Sequence, residues 1–103
     1  MVKVKLVKVM FATRPYEGQI SIDDPDNAFR SPIWRDIEIG STVKISVQNQ
    51  LQGMELDFWE MNGVKITVAG NKNPVNIKIL KYDESITEVE VYAVYNYAVY
   101  KKP

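Results

Sequence analysis

The 103-residue chain contains neither cysteine nor histidine. Without cysteine there is no disulfide framework, no thiolate nucleophile and no sulfur ligand for zinc. Without histidine, the usual general base near neutral pH and the commonest transition-metal ligand are both missing. An excess of one charge is lacking too. Lysine plus arginine (13) equals aspartate plus glutamate (13), so no net field steers the chain toward nucleic acid or anionic lipid. No apolar run approaches the ~20 residues of a membrane-spanning helix. These absences point to a protein that is not an enzyme, carries no cofactor or metal, binds no nucleic acid and inserts into no membrane.

What remains is ordinary for a folded protein: 46% hydrophobic and 25% charged residues. The length fits one β domain over 1–103, and a chain of this size buries roughly 65% of its unfolded surface. The N-terminus, MVKVKLVKVM, does not read as a secretory signal, because Lys3, Lys5 and Lys8 interrupt its apolar residues. That is the expectation for a domain cut from a longer protein, a mature form, or a chain that does not use that export route.

The dominant period is two. Val43, Ile45 and Val47 alternate with Lys44 and Ser46. Ile37 and Ile39 alternate with Glu38, and Ile20 and Ile22 with Ser21. Val64, Ile66 and Val68 repeat the pattern, as do Val75, Ile77 and Ile79. Such alternation predicts half-buried antiparallel strands. Turn residues separate the runs at Arg14–Gly18, Asp23–Asn27, Asn62-Gly63 and Gly70–Pro74, with another turn expected between Lys81 and Thr87. Asn62-Gly63 is the strongest tight-turn signal, since both residues tolerate positive φ. No amphipathic helix is present, and at most one helical turn fits between Asn27 and Arg35. The expected fold is all-β: a small antiparallel β-sandwich, or an open β-grasp-like sheet, of about seven strands. The adjacent apolar residues Leu6 and Val7 suggest a bulge in the first strand.

From Gly18 onward the spacing resembles divergent internalin-type B-repeats, the β modules of bacterial and archaeal surface proteins. The residues that carry the resemblance are Gly18-Gln19-Ile20-Ser21-Ile22, Ile39-Gly40-Ser41-Thr42-Val43-Lys44-Ile45, Gly53-x-x-Leu56-x-x-Trp59, Asn73-Pro74-Val75-x-Ile77 and Val91-Tyr92-Ala93-Val94-Tyr95. Leu56 stands where the family usually has an aromatic, and the loop Pro25–Arg35 is longer than usual. The resemblance implies a spacer, stalk or adhesion element with no catalytic residues to carry over.

Several groups offer chemistry. Asp23, Asp24, Asp26 and Asn27 are oxygen ligands that calcium could use, though without the spacing of a calcium loop, and a solvated turn is the preferred reading. The glutamates at 17, 55, 60, 84, 88 and 90 include no pair that sequence brings into one pocket. Lys3, Lys5 and Lys8 with Lys101 and Lys102 form a basic stripe if the terminal strands are neighbours, and Glu88 and Glu90 then neutralise it across the ladder. In Leu56-Asp57-Phe58-Trp59, Trp59 is read as core. Phe58 is then either exposed or preceded by a bulge, and it becomes a contact candidate. Trp34, on the long loop, is a second one.

The C-terminal run VEVYAVYNYAVYKKP (89–103) holds Tyr92, Tyr95, Tyr97 and Tyr100 without a glycine or proline before its last residue. As one strand from Glu88 to Lys101 it extends ~45 Å, far beyond the usual five or six residues. It therefore bends, splits or projects, and 96–103 reads as an extending strand or assembly tail. Beyond Ala93 both of its sides are apolar or aromatic, which calls for cover on both sides. Another subunit can supply that cover, through strand addition or an aromatic patch. The first strand can supply it instead.

The expected function is a non-catalytic structural or adhesive module that contacts protein, by self-association or with neighbouring repeats. Tyr92, Tyr95, Tyr97, Tyr100, Phe58 and Trp34 are its interaction residues. The expected place is extracellular or the cell surface, with a virion or filament subunit as the variant. The alternative is a carbohydrate- or peptide-binding β module that uses the same aromatics as stacking platforms.

Overall fold

The computed structural model describes residues 5–80 and 87–97. Ten strands occupy them: β1 (Leu6–Arg14), β2 (Gln19–Ile22), β3 (Ala28–Arg30), β4 (Ile33–Glu38), β5 (Thr42–Val47), β6 (Gln50–Leu51), β7 (Met54–Met61), β8 (Val64–Lys65), β9 (Val75–Lys78) and β10 (Glu88–Asn96). Seven of them have four residues or more. The other three, β3, β6 and β8, are the two- and three-residue pieces that alternation alone does not reveal. A single 3-10 turn at Thr67–Ala69 is the only helical element among the described residues.

The strands form two sheets. The first runs β4-β1-β10-β7-β6, with β8 also on β7, and the second runs β3-β2-β5-β9. One core cluster joins Val9, Phe11, Trp59, Val89 and Val91 of the first sheet to Ile20, Val43, Ile45, Val75 and Ile77 of the second. The sheets thus face each other across shared apolar side chains, the sandwich rather than the single open sheet. Among the described residues, all pairings but one are antiparallel. The exception joins β1 to β10 in parallel, from Lys8 opposite Glu88 to Arg14 opposite Val94. The first and last strands among the described residues are therefore neighbours.

Three expectations are corrected. The long loop expected over Pro25–Arg35 instead holds β3 and the start of β4, which carries Trp34. Nor is there a bulge at Leu6-Val7, because β1 pairs with β4 in continuous register from Leu6 to Phe11. Val7 turns inward and Leu6 stays exposed. The Val64-Ile66-Val68 alternation makes only the two-residue β8 before the chain enters the 3-10 turn, and Val64 and Val68 are both exposed.

Asn62 and Gly63 do form the tight turn, with φ of 51° and 80°, and they join β7 to β8 with Met61 opposite Val64. At the opposite end a buried corner knits the sheets together. The Thr13 hydroxyl donates to the Tyr16 carbonyl at 2.6 Å and accepts from the Gly18 amide at 2.7 Å. The Thr13 amide in turn donates to the Ser31 hydroxyl at 3.0 Å. Burying these polar groups is tolerable because each finds a partner.

Candidate interaction face

Strand register decides which side chains meet, because alternate residues of a strand point to opposite faces. On β1, Val7, Val9 and Phe11 point into the core, so Lys8, Met10 and Ala12 point out. Met10 lies opposite Trp34 of β4, and Ala12 lies opposite Tyr92 of β10. Tyr92 faces Glu60 of β7, and Val94 faces Phe58. Trp34, Met10, Ala12, Tyr92, Val94 and Phe58 therefore share the outer face of the first sheet, running obliquely across four strands.

Phe58 reaches this face through a bulge. The β10–β7 register slips between Val94 and Tyr95: Val94 lies opposite Phe58, but Tyr95 lies opposite Leu56. Asp57 is the extra residue. It lets Leu56 and Trp59 both turn inward while Phe58 turns out. The Asp57 carboxylate accepts a hydrogen bond from the Asn96 side-chain amide at 2.7 Å, which closes the irregularity. Of the two expectations for Phe58, exposure or a bulge, the bulge is present, and Phe58 is half-buried on the outer side.

Two cations cover the rings. The Arg14 guanidinium lies 4.3 Å from the Tyr92 ring centroid and forms an ion pair with Glu60. The Lys65 ammonium lies 4.8 Å from the centroid of Phe58. Each such contact contributes about 0.5–1 kcal/mol at an exposed site. Ala12 is 94% buried yet lies outside the shared core cluster, so its cover comes from the outer face itself. Trp34, at the edge strand, keeps 45% of its surface exposed.

The predicted contact residues divide. Trp34, Tyr92 and Phe58 come together on one face. Tyr95 does not join them and is corrected to a core residue: it is 1% exposed, and its hydroxyl donates to the Gln48 carbonyl at 2.6 Å. Burial pushes its phenol pKa up from 10.0 to about 12. Tyr97, just past β10, is 49% exposed and lies beside Gly53. Tyr100 lies outside the described residues. Trp59 is core, as read, with its indole N–H donating to the Lys72 carbonyl at 2.9 Å. Met10, Ala12, Val94, Arg14 and Lys65 were missed. The signal for the first two is the unbroken run Met10-Phe11-Ala12, which reads as a strand covered on both sides.

The remaining groups do structural work. Asp23 accepts from the Lys44 amide at 2.9 Å. Asp24 accepts from the Asp26 amide at 3.0 Å and from the Asn27 side chain. Glu17 pairs with Arg30 at 3.2 Å. Lys8 stands opposite both Glu88 and Asp36 in register, so charge alternates across the sheet. Among the described residues, no group of three or more acidic side chains is placed to hold a metal ion, and no helix is long and apolar enough to cross a membrane. No protein-family model, curated protein or solved structure matches the chain.

Proposed function

We propose that this chain is a non-catalytic structural or adhesive module that binds protein, by self-association or through neighbouring repeats, with the outer face of its six-stranded sheet. One observation carries the reading. Strand register gathers Trp34, Tyr92 and Phe58, three residues far apart in sequence, onto one face with Met10 and Val94 between them. Aromatics with a few paired charges are the composition of a protein contact surface. Arg14 and Lys65, held against rings, are oriented before any partner arrives, and less conformational entropy is lost on binding. The lack of histidine and cysteine and the resemblance to surface B-repeats support a role without chemistry. A cell surface is the setting that resemblance suggests, with a virion or filament as the alternative.

Light scattering on the chain across a concentration series, beside a Trp34→Ser/Phe58→Ser variant, tests this. Concentration-dependent assembly that the variant loses, with its fold intact by circular dichroism, is the expected result. A monomer at every concentration overturns the self-association reading. The second reading, a carbohydrate- or peptide-binding face, has its own support in the exposed indole of Trp34. It predicts a monomer whose Trp34 emission shifts with ligand, while the buried Trp59 stays constant.

A further inference from the structure

On the opposite side of the molecule, β9 is the edge of the second sheet. Among the described residues no strand lies along its far side. Its backbone polarity follows from its ends. The Ile79 amide donates to Ser41 at 2.9 Å, and its carbonyl accepts from Gly40 at 2.7 Å, so Ile79 bonds toward β5. Alternation in an antiparallel ladder then turns Val75 and Ile77 the same way. Asn76, Lys78 and Leu80 consequently direct their N–H and C=O groups away from the sheet.

Beside this edge runs a groove of about 500 Å³, between β9 and the 3-10 turn, with Met61, Ile66, Val68, Ala69 and Ile77 among its lining residues. Val68 is 84% exposed and Leu80 44%. Among the described residues, Lys72 and Lys78 are the charged residues of the lining, with no carboxylate beside them, and neither lysine is in an ion pair with a described residue. A lysine on an edge strand is a common guard against stray pairing. A guard does not account for the apolar groove behind it or for the exposed Val68 and Leu80.

The geometry points to β9 as a strand-addition site for an extended acidic peptide in which apolar residues alternate with glutamate or aspartate. An added strand pairs with the outward amides and carbonyls of Asn76, Lys78 and Leu80. Its alternate side chains then fall on two sides. One set drops into the groove, where only apolar groups are matched by Ile66, Val68 and Ala69. The other set lies beside the exposed side chain of Lys78, and Lys72 also lines the groove, so carboxylates are favoured and lysines repelled. This site is separate from the outer face of the first sheet, and either can fail without the other.

The probe is acetyl-Thr-Glu-Val-Glu-Ile-Glu-Val-Thr-amide, compared with the same peptide carrying lysine for each glutamate. Amide hydrogen exchange of the whole chain is followed by NMR as peptide is added. The acidic peptide is expected to slow exchange at Asn76, Lys78 and Leu80 in a saturable way and to leave the edge strands β3 and β4 unchanged. A Lys72→Glu/Lys78→Glu variant, altered only at exposed side chains, should bind it about tenfold more weakly or worse and should gain affinity for the lysine peptide. No saturable protection at millimolar peptide overturns the proposal, as does equal binding of both peptides or protection at another edge. Protection of the same three amides that grows with protein concentration, without peptide, assigns the edge to a second copy and likewise overturns it.

Discussion

The Tyr95 hydroxyl donates a 2.6 Å hydrogen bond to the Gln48 carbonyl, tying the last strand of one sheet to the segment that follows β5 of the other. The ring fills the core while its polar end satisfies a loop carbonyl. Replacing Tyr95 by phenylalanine keeps the ring and leaves that carbonyl without its donor. Tyr95→Phe should cost about 1 kcal/mol in urea unfolding.

The same burial sets an alkaline limit. Tyr95 holds its proton to about pH 12 in the fold, whereas an unfolded tyrosine releases it near 10. Its contribution is therefore complete below pH ~10. As pH rises toward 12, the unfolded state ionises first and stability falls, by at most about 1.4 kcal/mol per pH unit. The difference in unfolding free energy between wild type and Tyr95→Phe should shrink over that window. A difference that stays constant from pH 9 to 12 refutes the buried phenol as its source.

Asn73 acts as a short extra rung. Its side chain accepts from the Val47 amide at 3.0 Å, and its amide group donates to the Val47 carbonyl at 2.7 Å and to Asn49 at 2.8 Å. Asn73→Ala should cost about 1–3 kcal/mol, the range for leaving such partners unsatisfied. Protection of the Val47 amide from hydrogen exchange should disappear selectively.

Arg14 and Glu60 should prove coupled. Glu60 is largely covered by its neighbours, and Arg14→Met strands its carboxylate. The loss should reach about 1–3 kcal/mol, and adding Glu60→Gln should recover part of it, because the orphaned charge is gone. A double-mutant cycle with no interaction term would deny the pair any energetic role.

The two tryptophans should separate cleanly. Trp59→Ala empties a fully buried site and should cost about 3–5 kcal/mol. Trp34→Ser, at an exposed edge position, should change stability by no more than about 0.5 kcal/mol while removing assembly. Equilibrium unfolding of both variants, with light scattering, measures the contrast.

Faces were legible in the sequence where alternation was unbroken. Val43, Ile45, Val75, Ile77 and Ile79 all lie in the core their spacing predicts. Asn62-Gly63 declared its turn because few other residue pairs suit two successive positive φ values. Neighbours were not legible. Nothing in Leu6–Arg14 states that it pairs in parallel with a strand beginning at Glu88, since alternation fixes which way a side chain points and not which strand lies beside it. That is why the outer face was found only in part. Trp34, Phe58 and Tyr92 stood out as aromatics, whereas Met10 and Ala12 matter only once β1 is known to lie between β4 and β10. Tyr95 was misassigned for a related reason. It shares the parity of the buried Val91 and Ala93, and that parity, not its place in an aromatic run, decides which way the ring points.

The parallel pairing of β1 with β10 has a mechanical consequence. Lys5 enters at one end of the sheet and Tyr97 leaves at the other, with seven register pairs from Lys8–Glu88 to Arg14–Val94 between them. Tension applied along that line loads the whole ladder in shear, so its hydrogen bonds must yield together. Two adjacent strands whose free ends left on the same side would instead peel apart one rung at a time. Pulled lengthwise, the two strands resist as a unit rather than rung by rung.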